Sequence, residues 1–372
     1  GPIALVGYMQ RDLVEQRGWF SEADYREGLA LAQLAPGPLA AQLAFYLGWV
    51  RAGVAGATVV GLAFVLPSFL MVLALSVAYL RFGGLAWMQG AFYGIGAAVI
   101  AIIVRSVVKL SKLTLARDAL LWGVFAVNAL VVAWTESEIL WVFVASGVLL
   151  LVLRGGWLGG RGAGVGQTLG MLAMPAALPA WLTTGLHGPA GSDVLWQILW
   201  FFFKGGAVVF GSGLAIVPFL YGGVVEGFGW LTERQFIDAV AVSMITPGPV
   251  VITVAFIGYL TAGPLGAIIA ALGVFLPVYL ITIVAAPYFK RVVGNRSVKA
   301  FVQGVTAAAT GAIAGAAFVL GRRAVIDLPT LAIGLVTLAL LLCFRKIPEP
   351  AVIAVAGIAG ILLRLDAGGL RG

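Results

Sequence analysis

The residues of this chain best suited to chemistry are two Pro-Gly-Pro triplets, Pro36-Gly37-Pro38 and Pro247-Gly248-Pro249. Proline suits the first position of a helix, where its missing N–H is one of the unpaired donors anyway. Helices beginning near Pro38 and Pro249 therefore offer free N–H groups and a positive dipole end worth roughly +0.5 charge each. Such ends bind oxyanions. Gly37 and Gly248 let the backbone approach a ligand closely. Gln42 and Thr253, one turn into these helices, can supply polar contacts. The bland alternative is a tight hairpin closed only by packing. The recurrence of the triplet, and the cost of unpaired backbone in lipid, weigh against it.

Other residues extend the candidate set. Lys204 sits in the apolar run Trp200 to Gly206. An intramembrane cation is a functional candidate, with snorkelling to an interface as the alternative. The same run breaks at Phe210-Gly211-Ser212-Gly213. Glu27 and Asp238 lie at the entrances of the two triplet-bearing segments and could carry a coupled proton; solvated acids at a helix start are the simpler reading. Glu15 and Glu226 read as interfacial charges. The chain has one His, His187, and one Cys, Cys343. Catalytic triads, His or Cys metal sites and intrachain disulfides therefore lack their parts. No catalytic residue, metal or cofactor is expected, and an intramembrane enzyme has no constellation to work with.

The elements that position these residues are membrane helices. Of 372 residues, 62% are apolar and 10% charged, too few charges to cover a water-facing surface. The apolar runs are too long for a transmembrane barrel. They fall near 28–50, 54–79, 88–104, 119–134, 138–153, 165–184, 195–222, 236–260, 265–288, 300–320, 328–343 and 351–363. The net charge of +8 fits basic cytoplasmic loops and requires no nucleic acid.

An internal repeat organises the runs. Trp19 to Pro38 aligns without gaps on Trp230 to Pro249, Ala44-Phe45 on Ala255-Phe256, and Leu66-Pro67 on Leu276-Pro277 after one deletion. Two homologous halves follow, 1–153 and 195–364, joined by a linker with an apolar segment, 154–194. The second half has an apolar stretch, Leu195 to Phe210, whose first-half counterpart would precede Gly1. Arg11, Arg17, Arg26 and Arg51 mark one side for the first half, whereas the matching loops of the second carry only Arg234. The next loops reverse the bias: Arg81 alone against Lys290, Arg291, Arg296 and Lys299. The positive-inside rule then makes the halves inverted. It also requires 28–50 and 236–260 to be re-entrant hairpins turning at Pro-Gly-Pro. Arg322 and Arg323 fall outside and count against the scheme. Gly90/Gly94 and Gly311/Gly315 stripes permit close helix packing, within the chain ahead of a homodimer face.

Inverted repeats with broken helices are the layout of secondary transporters. The twin Pro-Gly-Pro triplets, the preceding Trp-x-Ser/Thr-Glu pattern at Trp19 and Trp230, and the break at Phe210 to Gly213 resemble the chromate ion transporter family in its long two-domain form. Gly1-Pro2-Ile3-Ala4 is similar to the tail of that family's first Phe-Gly-Gly-Pro motif. The upstream part of that motif is absent, and Ser212 stands where glycine is usual. The resemblance implies export of chromate across a bacterial inner membrane, chromate resistance, and sulfate as the look-alike anion. The expected fold is an all-α polytopic membrane protein of two inverted repeats. The expected site lies between the two Pro-Gly-Pro turns, where the helix ends, Gly211, Gly213 and Lys204 offset a dianion. A sulfate or other oxyanion permease is the neighbouring alternative, and a passive channel would need a polar path that is not evident.

Overall fold

The computed structural model describes residues 2–82, 85–136, 140–154, 183–208, 210–211, 213–246, 248–288, 295–344 and 347–369. Pro247, Ser212, Lys290, Arg291 and most of the 154–194 linker lie outside the described residues. The helices in chain order are α1 (Pro2–Met9), α2 (Glu22–Leu34), α3 (Leu39–Phe82), α4 (Ala86–Thr114), α5 (Ala119–Thr135), α6 (Leu140–Arg154), α7 (Ser192–Val208), α8 (Ile216–Tyr221), α9 (Glu233–Ile245), α10 (Thr253–Ala285), α11 (Arg296–Ala324), α12 (Leu328–Cys343) and α13 (Glu349–Gly369). Four helical stretches, Leu39–Phe82, Ala86–Thr114, Val250–Tyr288 and Arg296–Ala324, are long and apolar enough to cross a membrane. The molecule is a multi-pass helical membrane protein.

The repeat is visible residue by residue. α2 and α9 are capped at matching positions: Ser21 Oγ accepts from Asp24 N at 3.0 Å, and Thr232 Oγ1 from Gln235 N at 3.3 Å. Each cap satisfies an otherwise unpaired helix donor. One break recurs in both long helices. Ala52 (φ −151°) and Gly53 (φ +57°) interrupt α3, as Ala262 (φ −143°) and Gly263 (φ +63°) interrupt α10. Glycine is needed there because positive φ strains other residues. Asn295, in the sequon Asn295-Arg296-Ser297, caps α11 by accepting from Ser297 N at 2.8 Å.

The Pro-Gly-Pro segments are re-entrant. Both ends of the second hairpin, α9 plus the start of α10, reach the same short antiparallel pair, β2 (Thr184–Gly185) and β3 (Gly188–Pro189). Leu186 N donates to Leu260 O at 2.6 Å, and His187 Nε2 lies 3.3 Å from Trp230 O. A straight span between Trp230 and Leu260 would separate them by about 45 Å. The stretch 195–222, read from sequence as one broken segment, also folds back. Phe201 of α7 stacks on Phe219 at 4.7 Å and meets Phe228 and Trp230, all beyond the break. The part of the linker that is described is therefore not idle: β2 and β3 close the mouth of the second hairpin, and α7 begins at Ser192.

The two Pro-Gly-Pro hairpins enter from opposite faces. From the kink at Gly53, α3 continues through Pro67 to Phe82, about 43 Å of helix rise. Near its far end the Tyr79 hydroxyl donates to Asp238 Oδ2 at 2.8 Å, beside the mouth of the second hairpin. The converse holds for α10, after which Ala286 packs with Tyr25, Leu31, Leu43 and Tyr46 of the first hairpin. The halves interlock further. Gly94 of α4 abuts Ala356 and Gly360 of α13, while Gly304 of α11 abuts Ser146 and Gly147 of α6. Gly311 and Gly315 lie on Phe125 and Ala129 of α5. These small-residue stripes pack within the chain.

Charges sort by face. Arg154 pairs with Asp118 on the face where the first hairpin opens, and this contact holds the Asp118 carboxyl below its ordinary value. Arg323 lies on the other face. It pairs with Glu136 and, at 2.7 Å, with Glu233, and stands 4.9 Å from the Tyr221 ring. A neutralised arginine no longer counts against the orientation. Glu226 joins this group: burial first, then the Glu136 carboxylate beside it, push its own carboxyl up.

Candidate functional site

Three chain breaks converge where the hairpins meet. Gly37–Pro38 forms a two-residue parallel bridge, β1, with Phe210–Gly211, β4; Gly37 lies opposite Phe210 and Pro38 opposite Gly211. Two residues on, a Cβ built on Gly213 would lie 3.2 Å from Val251 Cγ2 and 3.6 Å from Val250 Cβ, just after Pro249. The glycine break thus touches both Pro-Gly-Pro turns at once. Pro36, Gly37, Pro38, Gly211, Gly213, Gly248 and Pro249 belong to one neighbourhood; Pro247 is outside the described residues.

Each turn also presses on the long helix of the other half. A Cβ on Gly37 would lie 2.7 Å from Val278 Cγ1 and 2.8 Å from Gln42 Nε2. A Cβ on Gly248 would collide with Ser68 Oγ. Val278 and Ser68 are themselves equivalent in the repeat. Both glycines have positive φ, +133° and +147°, a backbone that only glycine adopts without strain. The turns are held by backbone-to-helix contact across the interface between halves. Gly37 and Pro38 are buried, whereas Gly248 is exposed.

The side chains one turn on are buried, both at 0% exposure. The Gln42 amide Nε2 donates to Pro36 O, closing its own turn, and Gln42 Oε1 has no hydrogen-bond partner. Thr253 Oγ1 donates to Val250 O at 2.7 Å. The Thr253 hydroxyl hydrogen is committed to the chain, whereas the Gln42 amide nitrogen, beside Gly37, keeps a second N–H. The donors available to a ligand are then that N–H and the unpaired N–H groups at the helix starts, which carry partial positive charge. That arrangement can hold an oxyanion through backbone without a fixed cation.

Lys204 is exposed on α7, about 9 Å of helix rise before Phe210, and is not enclosed between the turns. Glu27 and Asp238 diverge despite their equivalence. Glu27 is half-buried, whereas Asp238 is 4% exposed, which overturns its reading as a solvated helix-start acid. Asp238 lines a polar cavity of about 240 Å³ with Tyr79, Gln89, Thr232, Arg234 and Gln235. Tyr79 and Ser68 were not singled out from sequence, and Arg323 was read only as a charge on the unexpected side, without its partners. The repeat gives Tyr79 no polar twin, since its counterpart is Phe289.

Comparison with known proteins agrees with this architecture. The family model described as "Chromate transporter" matches residues 1–151 and 196–361. A chromate transport protein of Cupriavidus metallidurans is 56% identical over 97% of this chain and 88% of its own length. A probable chromate transport protein of Synechococcus elongatus is 55% identical over 97% of this chain and 91% of its own. A chromate transport protein of Pseudomonas aeruginosa is 33% identical over 98% and 88%. No solved structure matches the chain.

Proposed function

This chain belongs to the chromate transporter family, and on that premise we propose that it exports chromate across a bacterial inner membrane as a secondary active transporter, conferring chromate resistance. The observation that carries the site is the convergence of three chain breaks, entered from opposite faces, at one place. A tetrahedral oxyanion at that place meets the starts of α3 and α10 and the glycine backbone of Gly37, Gly211, Gly213 and Gly248. Lys204, exposed nearby, attracts anions toward the site. Helix-end sites at the meeting of inverted repeats let one fixed site be uncovered from either side in turn.

The basic face, with Arg11, Arg17, Arg26, Arg51 and Arg154, is the cytoplasmic one. Asp238 is the candidate coupling group. It is a buried carboxyl with one hydroxyl partner, at the mouth of the hairpin that opens on the opposite face. A proton taken there from outside would favour the chromate-releasing state.

The test is flux in sealed vesicles containing the full chain. Labelled chromate is followed with and without an imposed proton gradient, and sulfate is offered as competitor. Gradient-dependent accumulation of chromate supports the reading. Downhill flow alone, unaffected by the gradient, makes the protein a passive pathway. Sulfate moving as well as chromate makes it a general oxyanion permease.

A further inference from the structure

Two aromatic contacts between the halves stand on either side of the Pro-Gly-Pro turns. Phe45 and Phe256 are equivalent in the repeat, seven residues after Pro38 and Pro249. Both are buried, at 3% and 0% exposure, and each lies about 10 Å of helix rise from its turn toward its own mouth. The mouths open on opposite faces, so the two rings flank the turns from opposite sides. Each ring is met edge-on by a tyrosine from the long helix of the other half. The Tyr279 ring of α10 is 5.7 Å from Phe45 at an interplanar angle of 84°. The Tyr79 ring of α3 is 5.2 Å from Phe256 at 68°. Rings at these separations touch and leave no room for an oxyanion between them. The repeat copies the phenylalanines and not the tyrosines, since Tyr279 and Tyr79 align on Phe69 and Phe289.

Each tyrosine is also latched to the other half through its hydroxyl. Tyr279 lies 2.7 Å from Thr58 Oγ1, whose hydrogen is spent on Val54 O at 2.9 Å, so Tyr279 is the donor. Tyr79 donates to Asp238 Oδ2 at 2.8 Å. Tyr79, Phe92 and Asp238 line the polar cavity of about 240 Å³ at the second mouth, and Phe256 lies behind Tyr79. A polar vestibule thus ends on one of the two pairs. Both pairs tie one half to the other, so halves that rock against each other must break them. One ring contact and one hydrogen bond make a weak tie, suited to parting in every cycle. We propose that Phe45–Tyr279 is the gate toward the first-hairpin face and Phe256–Tyr79 the gate toward the second. With both pairs closed, the structure described here is the occluded state. The inference rests on the placement of the anion at the Pro-Gly-Pro turns argued above.

Reversible cross-linking provides the test. With Cys343 replaced, Phe45→Cys is combined with Tyr279→Cys, and Phe256→Cys with Tyr79→Cys, in vesicles containing the full chain. A short bifunctional methanethiosulfonate then bridges each pair. Either bridge should stop chromate flux, and a thiol reductant should restore it. A contact that is only structural never parts, so flux that persists through either completed bridge overturns the assignment. Where a double-cysteine chain does not transport before bridging, single hydroxyl deletions decide. Thr253→Cys places a thiol between the second turn and Phe256. In that background Tyr79→Phe should raise its labelling by an impermeant thiol reagent outside intact cells about two- to tenfold, the worth of one hydrogen bond. Tyr279→Phe, which frees the opposite gate, should not raise it. Labelling unchanged by Tyr79→Phe, or raised equally by Tyr279→Phe, also overturns the assignment. Absence of chromate flux in the wild type would instead overturn the transport reading itself, whereas wild-type flux untouched by bridging would overturn only the gates.

Discussion

The first and second Pro-Gly-Pro hairpins share a backbone and differ in what covers them. Trp19 and Trp230 occupy equivalent positions at the mouths. Trp230 is 7% exposed, stacked on Phe228 at 4.4 Å and enclosed by Phe201 and Phe202 of α7. Trp19 is 55% exposed, with the Arg17 guanidinium 4.7 Å from its ring. The first mouth holds an apolar groove of about 400 Å³ between Met9, Leu13, Trp19, Leu47 and Arg51. The matching place in the second half is filled by α7 and by the β2–β3 turn. No described residue covers the groove. Repeated sequence therefore set repeated dihedral angles, down to Gly18 at +60° and Gly229 at +63°. Burial followed from neighbours that the repeat does not duplicate among the described residues.

The largest effect expected from this pairing is all-or-none. With Cys343 replaced, Ala23→Cys and Arg234→Cys place single thiols at equivalent exposed positions. A membrane-impermeant thiol reagent on intact cells should label position 234 and spare position 23. Equal labelling would break the inversion. Next come Gly37→Val and Gly248→Val, each strained at positive φ by about 1–3 kcal/mol. Either should cut chromate flux about tenfold or more while the protein still inserts. Normal flux in both would remove the anion from these turns. Gly248→Ala should be the worse of the two alanine variants, since its Cβ would meet Ser68 Cβ at 2.7 Å whatever the Ser68 rotamer, whereas Gly37 meets only the side-chain ends of Val278 and Gln42.

Asp238 and Glu27 sharpen the comparison at intermediate scale. Asp238→Asn should abolish the response of flux to a proton gradient, and Glu27→Gln should keep most of it. A reversed order would place coupling in the first half. Trp230→Ala should destabilise by about 3–5 kcal/mol and Trp19→Ala by about 1 kcal/mol or less, read as melting in detergent. Similar losses would mean that the first mouth is covered in solution.

The smallest effect concerns Arg323. Glu226 holds its proton more tightly when folded than unfolded, so its contribution falls as pH rises through its raised value. Arg323→Ala removes the cation shared by Glu136 and Glu233 and should steepen that fall, by about 1 kcal/mol at neutral pH. Arg322→Ala should leave the melting-versus-pH slope unchanged, and a flat slope in Arg323→Ala would dissolve the cluster.

Much of this was legible in the residues. Pro36 to Pro38 and their copy announced broken helices, and the arginines of the loops announced inversion, because both signals depend on local chemistry that each half states separately. Gln42 was legible as a polar group near the turn. Its orphaned oxygen was not, since that depends on where Pro36 O points. The return of α7 past Phe210, the hydroxyl of Tyr79 on Asp238 and the pairing of Arg323 were illegible for one reason. Each joins residues far apart in sequence, and a repeat reports only on what is copied.

The exchange of glycine faces between halves bears on how the protein is made. Gly94 emerges from the ribosome about 260 residues before Ala356, its packing partner, a delay of tens of seconds at about 5–20 residues per second. During that time α4 sits in the bilayer with a bare notch that lipid or an insertion chaperone must occupy. Assembly then resembles two hands clasping more than two blocks docking. Chains cut between the halves and produced together should find each other, because the grip lies in the helices and not in the tether.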